Sequence, residues 1–260
     1  EGAASIARKF NVPAMIIGLT IVAMGTSAPE AAVSITSSLA GQNDMSVANV
    51  VGSNFFNILM VLGVSAVIAK LPVQKETIKK ETPFLIIVSS MLLVFGLDLK
   101  MNRMEGLILL FVFVYFLIST VKRSKNSVTE NYDCSNEVAI TTDTEISEEI
   151  SMPKTILICI VGIAGIVIGG DMVVNSATSI AKSFGMSANL VGLTIVAVGT
   201  SLPEFVTSIV AIKKGETEIA IGNVIGSNLF NILLVLGLAV FINPITISML
   251  ALIDIAFMVA

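Results

Sequence analysis

The sequence predicts an all-α integral membrane protein built from two inverted repeats. Three observations carry that prediction: an apolar composition, a series of long apolar segments, and an internal repeat interrupted by one polar loop. Of the 260 residues, 55% are hydrophobic and only 13% charged, with a mean hydropathy of +0.93. Soluble domains are ordinarily about 25% charged. A soluble fold of this length has too little interior to hide so much apolar surface.

A span across a ~30 Å hydrocarbon core needs about 20 residues. Seven complete segments meet the need: 13–39, 46–69, 83–98, 104–121, 154–182, 188–212 and 219–242. The third is the shortest. A helix remnant precedes them at 1–10, and a truncated segment follows at 247–260. None shows the alternating pattern of a barrel strand, so every span reads as a helix. The chain opens on Glu1 and stops inside "MLALIDIAFMVA", so both ends read as cuts and the lack of a signal peptide carries no weight.

Between 122 and 153 the composition changes. "KRSKNSVTENYDCSNEVAITTDTEISEEIS" is polar and carries seven acids after Lys125. It reads as a solvated loop dividing a first membrane half (1–121) from a second (154–260), and it lacks the ligand spacing of an EF-hand.

Shifting the chain by 174 residues lays Gly18–Gly63 on Gly192–Gly237 without a gap, and 26 of the 46 positions are identical. The identities gather in "GLTIVA-GTS-PE" and "NV-GSN-FNIL-VLG". Upstream, "GAASIARKF" lies on "SATSIAKSF", so the remnant 1–10 is the end of a helix whose counterpart is 154–182. Five crossings separate the start of 13–39 from the start of 188–212. An odd number makes the second copy enter from the opposite face, as in many secondary transporters. Twelve Lys and Arg lie on the side where 13–39 begins and three on the other. The positive-inside rule makes the first side cytoplasmic, and the loop 122–153 with it.

There is no His, which excludes His proton relays, His-ligated metals and Ser-His-Asp triads. Cys134 and Cys159 form neither a disulfide framework nor a metal-ligand spacing. No basic tract points to nucleic acid.

The chemistry gathers in the repeated blocks. Thr26, Ser27 and Glu30 stand at i, i+1 and i+4. On a helix Thr26 and Glu30 share a face, with Ser27 beside them. Pro29 lacks an N–H and pushes away the carbonyl four residues back, on Gly25. A cation is one means of satisfying that carbonyl in hydrocarbon. The second block adds Ser53 and Asn57. The other half supplies Thr200, Ser201, Glu204, Ser227 and Asn231, with Pro203 acting on Gly199. Ten oxygen-bearing side chains, two of them acidic, would then converge at mid-membrane. Hard oxygen donors without thiolate or imidazole suit Ca²⁺ or Na⁺ rather than Zn²⁺, Cu or Fe. Two carboxylates deep in a bilayer are costly when empty. A site that crosses only when loaded favours exchange over leak.

Other residues read as structural. "GLTIVA" and "NIL-VLG" suit helix packing. Asp44 and Asp98 suit solvated helix ends, and Glu81, Asp171 and Asp254 suit interfacial or paired positions. For Glu30 and Glu204 the alternative is a buried structural pair, but packing does not explain the same costly acid beside proline twice.

"GTSAPE" with "GSNFFN", and "GTSLPE" with "GSNLFN", resemble the paired alpha-repeats of the sodium/calcium exchanger family, in the calcium:cation antiporter superfamily. The resemblance spans nearly the whole chain. It implies ten helices in two inverted five-helix repeats, the first and last being truncated here. It implies Ca²⁺ exchange for Na⁺ and cation ligation by the ten side chains named, with backbone carbonyls near Ala23 and Ala197 joining. It also implies that the first helix of each repeat slides to switch access, 154–182 being one of them. Some relatives carry Asp where this chain has Asn231, and the loop is too short for large calcium-sensing domains. The readings kept open are Ca²⁺/H⁺ or K⁺-dependent exchange on the same scaffold, and a cation channel. No nucleophile–base pair points to an enzyme, and no cofactor is expected. A prokaryotic plasma membrane, with lipid as partner and a monomer sufficient for transport, is the simplest setting.

Overall fold

The computed structural model describes residues 5, 9, 12–41, 43–134, 152–185 and 197–259. The greater part of the acidic loop, the second "GLTIVA" and most of the remnant 1–10 lie outside the described residues, as do the side chains of Asp44 and Asp171.

The described chain is helical almost throughout. The first long segment is a bent pair, α1 (Ala14–Thr26) and α2 (Ala28–Leu39), meeting at 47°. The bend falls at Ser27, whose φ of −83° and ψ of 9° leave the helical region. Pro29 then lies in the first turn of α2, where its missing N–H costs nothing. α3 (Ser46–Ile68) follows, then α4 (Thr82–Gly96), as short as the sequence suggests. α5 (Arg103–Cys134) and α6 (Met152–Ser183) flank the loop region. The second half repeats the bend: α7 (Ala197–Thr200) and α8 (Leu202–Lys213) meet at Ser201, with φ −88° and ψ 4°. α9 (Thr217–Ile242) corresponds to α3, and α10 (Met249–Val259) ends the described chain. Two short strands, β1 (Lys100–Met101) and β2 (Ile245–Thr246), pair antiparallel and tie the α4–α5 connection to the α9–α10 connection.

Among the described residues, α3, α5 and α9 are each long and apolar enough to cross a membrane, and α1 with α2 makes a fourth span if the bent pair counts as one. α4 is shorter at 15 residues. The sixth expected segment, 188–212, begins among residues that are not described.

α9 is the most enclosed of these spans. α1 lies against it with no side chain between the two backbones. A Cβ on Gly18 would sit 2.6 Å from the Ile219 carbonyl oxygen. One on Gly222 would sit 2.5 Å from that of Met15, and one on Gly226 2.6 Å from that of Leu19. Glycine is required wherever two backbones approach so closely. Around this contact pack Leu19, Val50, Leu109, Phe113, Leu229 and Phe230, the two phenyl rings edge to face at 5.0 Å. The outer faces carry exposed Leu59, Val67, Ile87 and Phe111, as helices do when lipid is the solvent.

α3 and α9 share a further irregularity. Each opens into a π-helical stretch, Phe56–Leu62 in one and Asn231–Leu236 in the other. Wider turns of this kind re-aim side chains and gather at functional sites. Asn57 and Asn231 stand at the start of these two stretches.

Candidate functional site

The sequence places four helix ends so that they meet. α2 and α8 each begin at a bend, and each carries its glutamate in the first turn. A carboxylate there faces the positive end of the helix dipole. α6 covers the first bend: a Cβ on Gly25 would lie 2.7 Å from Ile163 Cδ1. Thr26, Ser27, Glu30, Ser53, Asn57, Thr200, Ser201, Glu204, Ser227 and Asn231 are all buried, and both glutamates are 0% exposed.

The two halves are joined by hydrogen bonds that come in pairs. Ser27 Oγ donates to Glu204 Oε1 at 2.9 Å, and Ser201 Oγ donates to Glu30 Oε1 at 3.0 Å. Thr26 Oγ1 donates to Asn223 Oδ1 at 3.1 Å, and Thr200 Oγ1 to Asn49 Oδ1 at 3.4 Å. Asn57 Nδ2 donates to Asn228 Oδ1 at 3.2 Å, and Asn231 Nδ2 to Asn54 Oδ1 at 3.1 Å. Within each pair the second bond is the first with its partners exchanged by the 174-residue shift. Each carboxylate is thus held by a serine from the opposite half. Ser227 Oγ stands 3.5 Å from Thr26 Oγ1.

The bonding leaves a set of oxygens over. Glu30 Oε2, Glu204 Oε2, Ser53 Oγ, Asn57 Oδ1 and Asn231 Oδ1 are buried with no hydrogen-bond partner among the described residues, as is Asn228 Nδ2. Buried polar atoms are ordinarily satisfied, and an unmatched one calls for an explanation. These five oxygens, one from each bonded carboxylate among them, have the composition that a hard cation accepts. Among the described residues no three of His, Cys, Asp and Glu come together, so the arrangement relies on hydroxyls and amides around the two acids.

Four asparagines belong to this network that the sequence reading did not select: Asn49, Asn54, Asn223 and Asn228. Their signal was present, since each is identical in both copies. Ser34 and Ser208 complete the set as acceptors for Asn49 and Asn223. The carbonyl of Ala23 accepts the Ser27 N–H at 3.0 Å and the Thr26 hydroxyl at 3.3 Å. Ala197 is the first residue of α7. Away from the site, Glu81 pairs with Arg123 at 2.6 Å, whereas Asp98 and Asp254 are exposed.

The family model described as "Sodium/calcium exchanger protein" matches residues 1–122 and 154–260. The chain belongs to the sodium/calcium exchanger family. The match passes over the polar loop and takes in both halves of the site. CaxA of Alkalimonas amylolytica is 43% identical over 247 residues, covering 94% of this chain and 75% of that protein. The sodium/calcium exchanger MaX1 of Methanosarcina acetivorans is 30% identical over 282 residues, covering 97% and 80%. The solved sodium-calcium exchanger NCX_Mj, soaked with Na⁺ and Sr²⁺, superimposes with a TM-score of 0.82 at 31% identity, over 99% of this chain and 81% of that one. As a member of this family the chain is a helical membrane antiporter of cations, a transporter by class.

Proposed function

We propose that this antiporter exchanges Ca²⁺ for Na⁺ by alternating access, through a mid-membrane site built of oxygen atoms. The observation that carries the reading is the set of unpartnered buried oxygens, one of them from each of two carboxylates that are held from the opposite half. Thr26, Ser27, Glu30, Ser53 and Asn57, with Thr200, Ser201, Glu204, Ser227 and Asn231, supply the ligands, and the Ala23 and Ala197 carbonyls join them. The paired bonds support two inverted repeats related by a pseudo-two-fold axis in the membrane plane.

Exchange follows from the charge. With the site empty, two buried carboxylates oppose passage between access states, at contested costs of ~2.5 to more than 10 kcal/mol per charge. One Ca²⁺, or several Na⁺, removes that barrier. The excess of Lys and Arg on one side supports a cytoplasmic loop 122–153, in a prokaryotic plasma membrane as the simplest setting. One chain contains the whole ligand set, so a monomer suffices for transport.

The test is radiolabelled Ca²⁺ uptake into vesicles that contain the full-length protein and are loaded with Na⁺. Uptake should follow the outward Na⁺ gradient. Uptake indifferent to Na⁺ overturns the reading. If a pH gradient drives it, the exchange is Ca²⁺/H⁺; if it needs K⁺ as well, it is K⁺-dependent. Ca²⁺ current without any counter-ion gradient would make the protein a channel.

A further inference from the structure

We infer that Asn49 and Asn223 are positioning residues, each fixing the proton of the opposite half's site threonine so that the hydroxyl's lone pairs face the cation. The inference rests on the exchange reading above. A threonine hydroxyl has one proton and two lone pairs. To serve as a cation ligand it must hand that proton to an acceptor elsewhere. Thr26 has such an acceptor in Asn223 Oδ1 at 3.1 Å, nearer than the Ala23 carbonyl at 3.3 Å and Ser227 Oγ at 3.5 Å, and the Glu204 carboxylate is a further acceptor.

The orientation of the asparagine amide is itself fixed. Asn223 Nδ2 lies 3.4 Å from the carbonyl oxygen of Glu204 and 3.2 Å from Ser208 Oγ. A carbonyl can only accept, so it selects the NH₂ end and turns Oδ1 toward Thr26. Asn49 is placed in the same way. Its Nδ2 lies 3.3 Å from the Glu30 carbonyl and 2.9 Å from Ser34 Oγ, and its Oδ1 accepts from Thr200 at 3.4 Å. Both side chains are buried, Asn49 at 5% and Asn223 at 0% exposed. Both ends of each amide are occupied, unlike Asn57 and Asn231, whose oxygens are left over. Each amide therefore acts through another residue. It also ties the backbone of one half's glutamate to the hydroxyl of the other half's threonine, so the two half-sites are set together.

The test is equilibrium binding of radiolabelled Ca²⁺ to the purified full-length protein in Na⁺-free buffer. Asn223→Leu, close in size but without polar atoms, should weaken binding roughly three- to ten-fold, the worth of one hydrogen bond. Thr26→Val should weaken it as well, and Thr26→Ser, which keeps the hydroxyl, should restore it. The deciding measurement is the double variant. If Asn223 acts through Thr26, adding Asn223→Leu to Thr26→Val changes affinity by less than about two-fold. Multiplying losses, or wild-type affinity in Asn223→Leu, overturn the inference and leave the exchange reading standing. A wild-type protein that binds no Ca²⁺ overturns both. Should Asn223→Leu fail to yield a monodisperse protein, Asn49→Leu with Thr200→Val runs the same cycle on the other pair.

Discussion

Glu204→Gln separates a cation ligand from a structural acid. Glutamine matches glutamate in shape, and its Oε1 can keep the 2.9 Å bond from Ser27. What disappears is one negative charge at a position 0% exposed to solvent. A divalent ion about 2.4 Å from a carboxylate gains, at an effective dielectric constant of about 20, roughly 14 kcal/mol of gross attraction. Desolvation offsets most of it. If only a tenth survives as net binding, about 1.4 kcal/mol, its loss weakens affinity tenfold. Thermal unfolding of the purified protein, in EGTA and in Ca²⁺ without Na⁺, reads this directly. Ca²⁺ at a hundred times its Kd stabilises the wild type by about 2.7 kcal/mol. At roughly 2–4 °C per kcal/mol for a chain of this size, Tm should rise by ~5–10 °C. In Glu204→Gln at the same Ca²⁺ concentration, now about ten times Kd, the rise should shrink to roughly half, ~3–6 °C. The Tm in EGTA should not fall, because the change removes a charge that burial penalises. A lower Tm in EGTA with the full Ca²⁺ shift intact would show that the carboxylate is structural, and the reasoning would fail.

Asn231→Asp adds a carboxylate where Asn231 Oδ1 has no partner among the described residues, and should change Ca²⁺ affinity or the Na⁺ dependence of uptake; unchanged curves would place that amide outside the site. Gly222→Ala drives a methyl to within 2.5 Å of the Met15 carbonyl, so it should cost about 1–3 kcal/mol and lower Tm by several degrees, whereas Gly63→Ala, which meets nothing within 4 Å, should not. Arg123→Ala leaves Glu81, 8% exposed, without its 2.6 Å partner and should lower Tm more than Glu81→Gln does, by about 1–2 kcal/mol given the partial exposure of Arg123. Equal falls would show that an unpaired Glu81 carries no added cost, and no fall in either variant would show that the pair contributes nothing measurable.

The acids and hydroxyls were legible because they are polar in apolar surroundings and occur twice. Glu30 and Glu204 stand out on either ground. The asparagines at 49, 54, 223 and 228 also occur twice, yet amides and small residues in such blocks read equally well as helix packing. What assigns them is the register between halves, with Asn223 set against Thr26 rather than against its own neighbours, and no spacing along one copy reports that. The bend was legible in kind but not in place. Proline announced a break that leaves the Gly25 carbonyl without its helical donor but did not say where the chain would turn, which is at Ser27, with Pro29 taken into the next helix, where the missing N–H is harmless. The π-helical stretches at Asn57 and Asn231 have no compositional mark, because one extra residue in a turn changes hydrogen-bond partners without changing hydropathy.

The exchanged bonds also bear on how such a chain could have arisen. Ser201 reaches Glu30 and Ser27 reaches Glu204, so one copy of the repeat by itself leaves its acid without its serine donor. Under the proposed inverted arrangement a second copy facing the other way supplies what one copy lacks, and positions outside the exchanged bonds are free to drift. The drift begins next to the bonds themselves. The two glutamates match, but the residues after them are Ala31 and Phe205, and two further on stand Val33 and Thr207. The six residues that make the exchanged serine–glutamate, threonine–asparagine and asparagine–asparagine bonds are the same in both copies, while some of their neighbours have already become different.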